Sequence, residues 1–443
     1  MHSMIKTFLA AMALCLAASA AAAQQTAATV DYVWLQMTGQ DKASLRAIVQ
    51  GDCYGLIVAL GPQRLGMRAR HPDTMEKMGG RTVCELPIDF TATTASAVQF
   101  AGHTIPLPRT APSRVLVLGD TGCRKEDHAN DQVCGGAGWF FKTIADAALK
   151  TKPDLIVHVG DYVYRYNCGW EVEGCGDGQL REWGYWDSDF FSQAVNILPT
   201  APWVFVRGNH EDCSEHYSHR RGHEVNVDRG WRGWSLFLAM DDTVQTGFQN
   251  CKDNEETTPP AVIRFPAGQA PALTLMALDT ADEQSPAASD FAPLASGGEA
   301  WVVTHVPLWY VGAYYTAPLP DTLDMVISGH EHLFRMVIPT LAPARAGQPA
   351  KTGPVQLLEG ASGTKRDFNG PIYPQYAPQP ALNYVDTSFS FTILDRKANR
   401  TTDVVLCTVK SDGTVTATYA WTVSRQPDGM VALPLILTPG MCS

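Results

Sequence analysis

Short apolar runs recur along this chain, and most of them end on glycine or a polar residue. Arg114-Val115-Leu116-Val117-Leu118, Leu155 to Val159, Trp203 to Val206, Leu273 to Leu278, Trp301 to Thr304 and Met325 to Ser328 read as buried strands. Helical periodicity lies between some of them. Trp139 to Lys150 places Phe140, Phe141, Ile144, Ala147 and Ala148 near one helical face. Lys150 and Lys152 suit its C-terminal end, and Pro153 stops it. Phe190, Phe191, Ala194 and Ile197 repeat the pattern before Pro199. This order predicts βαβ units and an α/β fold from Arg114 to about Val337.

The flanks read differently. From residue 24 to about 108, the runs Val30–Met37, Ser44–Val49, Cys53–Leu60 and Ala97–Phe100 suggest strands separated by Gly, Pro and Asp. They predict a small β-rich N-terminal domain over 24–110, closed by a linker-like Leu107–Pro112. After the α/β region, Gln356–Leu358, Phe389–Leu394, Val404–Val409 and Thr414–Val423 are further strand candidates. Ser411-Asp412-Gly413-Thr414 reads as a hairpin turn, and the Gly-, Pro- and Tyr-rich stretch 361–386 as a surface loop. The C-terminal strands are grouped with the α/β region as one domain, 111–443.

The first residues do not belong to either part. Lys6 precedes an apolar stretch from Phe8 to Ala18, followed by Ser19 and a run of alanines to Ala23. Basic, apolar and small-residue regions in that order mark a secretory signal peptide, 1–23, and so an exported protein, periplasmic or secreted. The stretch is shorter than the ~20 residues of a membrane span, and none is expected after cleavage. Removing Lys6 takes the net charge from -11 to -12. An acidic chain is poorly suited to non-specific nucleic-acid binding. Cleavage also removes Cys15, leaving ten of the 11 cysteines. An even count in an exported chain favours disulfides. Near-neighbour pairing gives Cys53–Cys84, Cys123–Cys134, Cys168–Cys175, Cys213–Cys251 and Cys407–Cys442. The absence of any CxxC pair argues against a cysteine-bound zinc.

Five of the apolar runs lead into residues that bind hard cations. They are followed by Gly119-Asp120-Thr121-Gly122, Gly160-Asp161-Tyr162-Val163-Tyr164, Gly208-Asn209-His210-Glu211, His305, and Gly329-His330-Glu331-His332. Singly, each has a bland reading: a turn, a packed tyrosine, a cap. Together they supply carboxylates, an amide oxygen and imidazoles, the donors of a two-cation centre. Such groups at strand ends predict a site along the carboxyl edge of a sheet. His158, inside a strand, reads as a core or supporting histidine. Glu211 and Asp212 read as lying outside the ligand set. His216, His219, Arg220, Arg221 and His223 read more readily as a solvated loop than as substrate contacts.

This constellation resembles the calcineurin-like metallophosphoesterase superfamily, and most closely the purple acid phosphatases, over about residues 114–335. The resemblance implies a four-layer fold, a β-sandwich flanked by helices. It implies that Asp120, Tyr164 and His332 bind one metal, that Asp161 bridges, and that Asn209, His305 and His330 bind the other. His210 then faces the substrate phosphate. The general superfamily has a histidine two residues after the first aspartate; here that position is Gly122, and Tyr164 offers a phenolate instead. The resemblance implies Fe(III) beside that tyrosine, with Fe(II), Zn(II) or Mn(II) as the partner ion, and a small-molecule phosphate ester as substrate. Oligomeric state is not legible. Phosphomonoesterase and phosphodiesterase or nucleotidase activity both stay open, as does a non-catalytic exported metal-binding protein.

Overall fold

The computed structural model describes residues 28–71, 78–108, 110–125, 132–134, 136, 138–164, 181–211, 230–240, 258–265, 272–282, 286–296, 298–311, 319–341, 351–366, 380–397 and 399–443. The leader-like segment, Cys168, Cys175, Cys213, Cys251, Asp212 and the 216–223 histidine cluster lie outside them.

The N-terminal part forms β1 (Thr29–Gly39), β2 (Lys42–Gln50), β3 (Ile57–Leu60), β4 (Gln63–Gly66), β5 (Arg68–Ala69), β6 (Arg81–Asp89), β7 (Ala97–Phe100) and β8 (His103–Pro106). The middle supplies β9 (Arg114–Leu118), helix α1 (Phe141–Leu149), β10 (Leu155–His158), helix α2 (Arg181–Trp186), β11 (Pro202–Phe205), β12 (Ala261–Phe265), β13 (Leu273–Ala277), β14 (Glu299–Val303) and β15 (Leu323–Ser328). Then follow β16 (Phe334–Ile338), β17 (Thr340–Leu341), β18 (Lys351–Thr352), β19 (Val355–Glu359), β20 (Leu382–Asp386), β21 (Ser390–Lys397), β22 (Thr401–Val409), β23 (Val415–Gln426) and β24 (Gly429–Pro434).

Two large sheets form a sandwich. The first runs β24-β23-β22-β21-β9-β10-β11-β1-β2-β6-β5, the second β12-β13-β14-β15-β19-β16-β20. Strands β9, β10, β11 and β1 are mutually parallel, as are β13, β14, β15 and β19. The inward faces share one apolar core: Val115, Val117, Val157 and Val204 from one sheet meet Leu275, Trp301, Ile327 and Leu357 from the other. Continuous apolar strands of this kind suit a sheet covered on both faces. On the outer face of the first sheet, α1 buries Phe141, Ile144, Ala147 and Ala148, and Phe190, Phe191, Ala194 and Ile197 pack into the same layer. Beyond α2 that second helical segment loosens into a wider turn at Asp187–Phe191. A 3-10 segment, Ala288–Ser296, packs Phe291 and Leu294 on the outer face of the second sheet. These are the four layers that the resemblance implies.

Three expectations change. The N-terminal region is β-rich, but β1 pairs in parallel with β11, and β2, β6 and β5 continue the same sheet. Among the described residues of 24–110, strands β1, β2 and β6 therefore share the sandwich core, while β4, β3, β7 and β8 form a small sheet of their own. Sequence read these strands as a separate domain because nothing local reveals that β1 lies against β11, more than 160 positions away. Within Cys53–Leu60, only Ile57–Leu60 is strand, since Cys53 to Leu56 turn (Leu56 N–H to the Cys53 carbonyl, 3.3 Å). The stretch 361–386, read as loop, ends in β20, which pairs with β16.

Candidate metal centre

The five motif-bearing strands do not share one sheet. Strands β9, β10 and β11 lie side by side in the first sheet, and β14 and β15 lie in the second. The site therefore forms where the carboxyl ends of two sheets meet, which corrects the expectation of a single sheet edge.

Strong backbone turns aim the side chains. Asp120, Asp161 and His330 hold φ of 53°, 59° and 77°. This left-handed region is uncommon for residues with a Cβ and marks places where surrounding structure overrides local cost. The surroundings here are specific. Asp120 N–H donates to the Gly160 carbonyl (3.0 Å), Thr121 N–H to the Asp161 carbonyl (3.0 Å) and His330 N–H to the Asp120 carboxylate (3.1 Å). His158 reads as expected of a core residue. It is fully buried, stacks on Tyr162 at 4.2 Å, lies 3.0 Å from Thr121 Oγ1, and its Nδ1 accepts from Gly160 N–H. Burial, then His305, holds its pKa well below the usual value, so it is neutral.

Asp120, Asp161 and His332 converge to within 4.8 Å of one another, a grouping that could hold a cation. Tyr164 stands among them, its hydroxyl 2.9 Å from Asp120 Oδ1, 2.6 Å from Asp161 Oδ2 and 3.1 Å from His332 Nε2. A second group lies beside the first. Asn209 Oδ1 is 2.8 Å from His305 Nε2 and 2.9 Å from His330 Nδ1, and His305 Nε2 is 3.3 Å from Asp161 Oδ1. Asp161 thus touches both groups. All seven residues singled out in the sequence as ligand candidates come together here.

The donor set suits cations. His305 Nδ1 sits 2.7 Å from the Val159 carbonyl, which can only accept. Nδ1 thus has an acceptor, and Nε2 faces Asn209 Oδ1 and Asp161 Oδ1 across the site. Around Tyr164, one hydroxyl proton faces two carboxylates and an imidazole. Carboxylate, phenol, amide oxygen and imidazole are the donor types that hard and borderline cations take. Burial raises the Asp161 carboxyl, but its neighbours, His305 first among them, outweigh burial and hold it well below the usual range. Burial, then Asp120 and Asp161, pushes the Tyr164 phenol well above its ordinary value, so the phenolate needs a cation beside it.

Gly122 is explained by its neighbours. A Cβ there would lie 2.6 Å from the Tyr162 carbonyl oxygen and 2.9 Å from Tyr164 Cδ2. The tyrosine fills the space that a side chain at position 122 would use. His210 follows Asn209 on the same turn. Its ring packs 3.9 Å from that of Tyr164, its Nε2 is 3.9 Å from Asp161 Oδ2, and burial lowers its pKa to about 3. Two residues were not singled out in the sequence: Arg124, whose Nη1 lies 3.5 Å from His332 Nδ1, and Tyr310, which donates to Glu331 at 2.6 Å. No motif flags either residue. Of the cysteine pairs, Cys53–Cys84, Cys123–Cys134 and Cys407–Cys442 are disulfides. The second of these closes directly after the Asp120 turn.

The calcineurin-like phosphoesterase family model matches residues 113–334. Among solved structures, the purple acid phosphatase isolated from yellow lupin (Lupinus luteus) seeds is 15% identical, covers 90% of this chain and 75% of its own, and has a TM-score of 0.55. PhoD is 11% identical, covers 92% of each chain, and has the same TM-score of 0.55. At these identities the likeness is one of fold. No curated relative matches the chain.

Proposed function

Because the chain belongs to the calcineurin-like phosphoesterase family, we propose that it hydrolyses phosphate esters at a two-cation centre held by the seven converging residues. The observation that carries this is the convergence of two groups of ligand-type side chains on one buried carboxylate, Asp161. Asp120, Tyr164 and His332 form the first set, Asn209, His305 and His330 the second, and Asp161 serves both. The anionic first set favours a trivalent ion such as Fe(III), and the second a divalent Fe, Zn or Mn. Bound cations supply the acidity that turns water into a nucleophile near neutral pH.

The remaining work falls to the chain. His210 stands beside Asp161 on the rim of the site, with 13% of its side chain exposed. It is neutral in its buried setting, and an incoming phosphate dianion brings the negative charge that draws a proton onto it. As an imidazolium it stabilises the equatorial oxygens and passes a proton to the leaving alkoxide. The attack needs no serine or cysteine nucleophile. The reading is of an acid-phosphatase-like monoesterase, exported to an oxidising compartment. The disulfides among the described residues support export. Among the described residues, no helix is long and apolar enough to cross a membrane.

The test is elemental analysis of the purified protein, together with initial rates on a monoester and a diester of the same chromophore. Two metal equivalents and a faster monoester rate are expected. Metal-replete protein that cleaves neither ester overturns the enzyme reading, and a faster diester rate reassigns the substrate class.

A further inference from the structure

We propose that Glu211 is a positioning residue: its carboxylate fills a nest of backbone amides and so holds the Asp161 turn in register with the Asn209 turn. This inference rests on the metal-centre reading above and adds a residue that reading does not use. Glu211 is fully buried. Glutamate is rarely buried without partners, and the partners here are all main chain. Oε1 accepts from Tyr162 N–H (2.9 Å) and Val163 N–H (3.2 Å). Oε2 accepts from Asp161 N–H (3.1 Å) and Gly208 N–H (3.1 Å). Four donors point at two oxygens.

Three successive amides, of residues 161 to 163, converge because Gly160 and Asp161 both have positive φ, 98° and 59°. Such runs of N–H groups make anion-binding concavities. In this chain the concavity faces inward and is filled by the chain's own carboxylate. The left-handed conformation is unfavourable for a residue with a Cβ; four hydrogen bonds from the main chain to one side chain hold it in place. The contact is reciprocal. His210 N–H donates back to Asp161 Oδ1 at 3.0 Å, so each turn holds the other. Glu211 is itself anchored, since its carbonyl accepts from Arg207 Nη1 (3.3 Å), and Arg207 is tied to Asp279 (2.8 Å) and Asp282 (2.9 Å). There is no slack at the junction: a Cβ on Gly208 would lie 2.1 Å from Asp161 Oδ1 and 2.7 Å from Glu211 Oε2. A shift of either turn therefore moves Asp161 relative to both ligand groups.

The test uses the full mature chain, with Glu211→Gln as the variant. Gln is nearly isosteric, but its NH2 group faces two amide donors and releases them. Two readouts separate positioning from general stability. The first is amide hydrogen exchange after chelation. In the wild type, the amides of residues 161, 162, 163 and 208 should be protected without metal, and in Glu211→Gln they should lose that protection while β9 and β14 keep theirs. The second is direct titration with Mn(II), where the apparent Kd should rise about 10- to 100-fold, as when groups that orient ligands are removed. A lower Tm with unchanged Mn(II) affinity would make Glu211 a structural residue only and overturn the proposal. Should the variant not fold, the wild-type exchange pattern still decides, because rapid exchange at these four amides sinks the idea. A wild type that binds no Mn(II) counts against the metal centre, not against the clamp.

Discussion

Gly122→Ala adds one methyl group beside the candidate centre, and the structure sets its cost. The new Cβ would stand 2.6 Å from the Tyr162 carbonyl oxygen and 2.9 Å from Tyr164 Cδ2, against a limit of 3.0 Å that real Cβ contacts essentially never breach. The carbonyl must retreat by 0.4 Å, the difference of 3.0 and 2.6 Å, to reach even that limit. It cannot retreat alone. Its peptide follows Asp161, whose own carbonyl accepts from Thr121 N–H at 3.0 Å and Gly122 N–H at 3.5 Å. Overpacking of this kind costs ~1–3 kcal/mol, and a weakened backbone bond adds ~1 kcal/mol. A total of about 2–4 kcal/mol follows. By the usual scaling, in a chain of this length it lowers Tm by roughly 2–4 °C. A misplacement of ~1 Å can cost ~10²-fold in rate, so about half that displacement should cost roughly tenfold. Scanning fluorimetry and initial phosphatase rates read both effects. Gly138→Ala is the control, because nothing lies within 4 Å of its added Cβ. Gly122→His should fare no better in a Tyr164→Ala background, since the Tyr162 carbonyl still blocks it. If Gly122→Ala matches Gly138→Ala in both Tm and rate, the steric account of the missing histidine is wrong.

Four further outcomes are expected. Asp161→Asn should lose metal and activity together, and full activity with both metals retained removes the bridging assignment. Tyr164→Phe should abolish any visible band of the oxidised protein, and a surviving band means that another residue supplies the phenolate. His210→Ala should slow alkyl phosphate hydrolysis more than nitrophenyl phosphate hydrolysis, by up to ~10²–10⁴-fold, with metal content unchanged; equal losses on both leave it charge stabilisation alone. Glu359 bridges the two sheets through Ser390 and Thr392, and burial raises its pKa from 4.5 to about 7. A raised folded-state pKa gives stability that is full below about pH 4.5 and is lost as pH rises through about 7. Glu359→Gln should therefore flatten stability over that window and stabilise the protein above it, by on the order of 3 kcal/mol at ~1.4 kcal/mol per unit. An unchanged slope in denaturant titrations across that window counts against it.

Much of the candidate centre was legible because its residues announce themselves twice, by type and by position after an apolar run. The period-2 and short buried-strand signals located β9, β10, β11, β14 and β15 to within two residues at either end. What sequence could not supply was partnership at a distance. The motif runs look alike whether they lie in one sheet or two, so the split between the sheets was hidden. The same gap made β1 and β2 look like part of a separate domain, although their inward faces join the sandwich core. Glu211 stayed hidden for a different reason. A side chain whose partners are all main-chain amides leaves no complementary residue to search for, and its neighbours in sequence, Asn209 and His210, offered more obvious chemistry.

Gly122 and Tyr164 show how a pair of substitutions can be read as one event. Seen alone, a glycine at position 122 is a missing imidazole. Seen alone, Tyr164 is a buried phenol close to two carboxylates, and burial and those carboxylates keep it protonated. The geometry sets them side by side, both against the Tyr162 backbone. The ring of Tyr164 passes close to the position where a Cβ on residue 122 would sit, and its hydroxyl arrives between Asp120 and Asp161. A side chain at 122 meets the Tyr162 carbonyl first, and Glu211 holds that Tyr162–Val163 peptide through Val163 N–H. The choice of the first ligand group is therefore made by backbone packing around Asp161 as much as by metal chemistry. Exchange of glycine for histidine at 122 should fail unless the turn from Asp161 to Tyr164 is rebuilt with it.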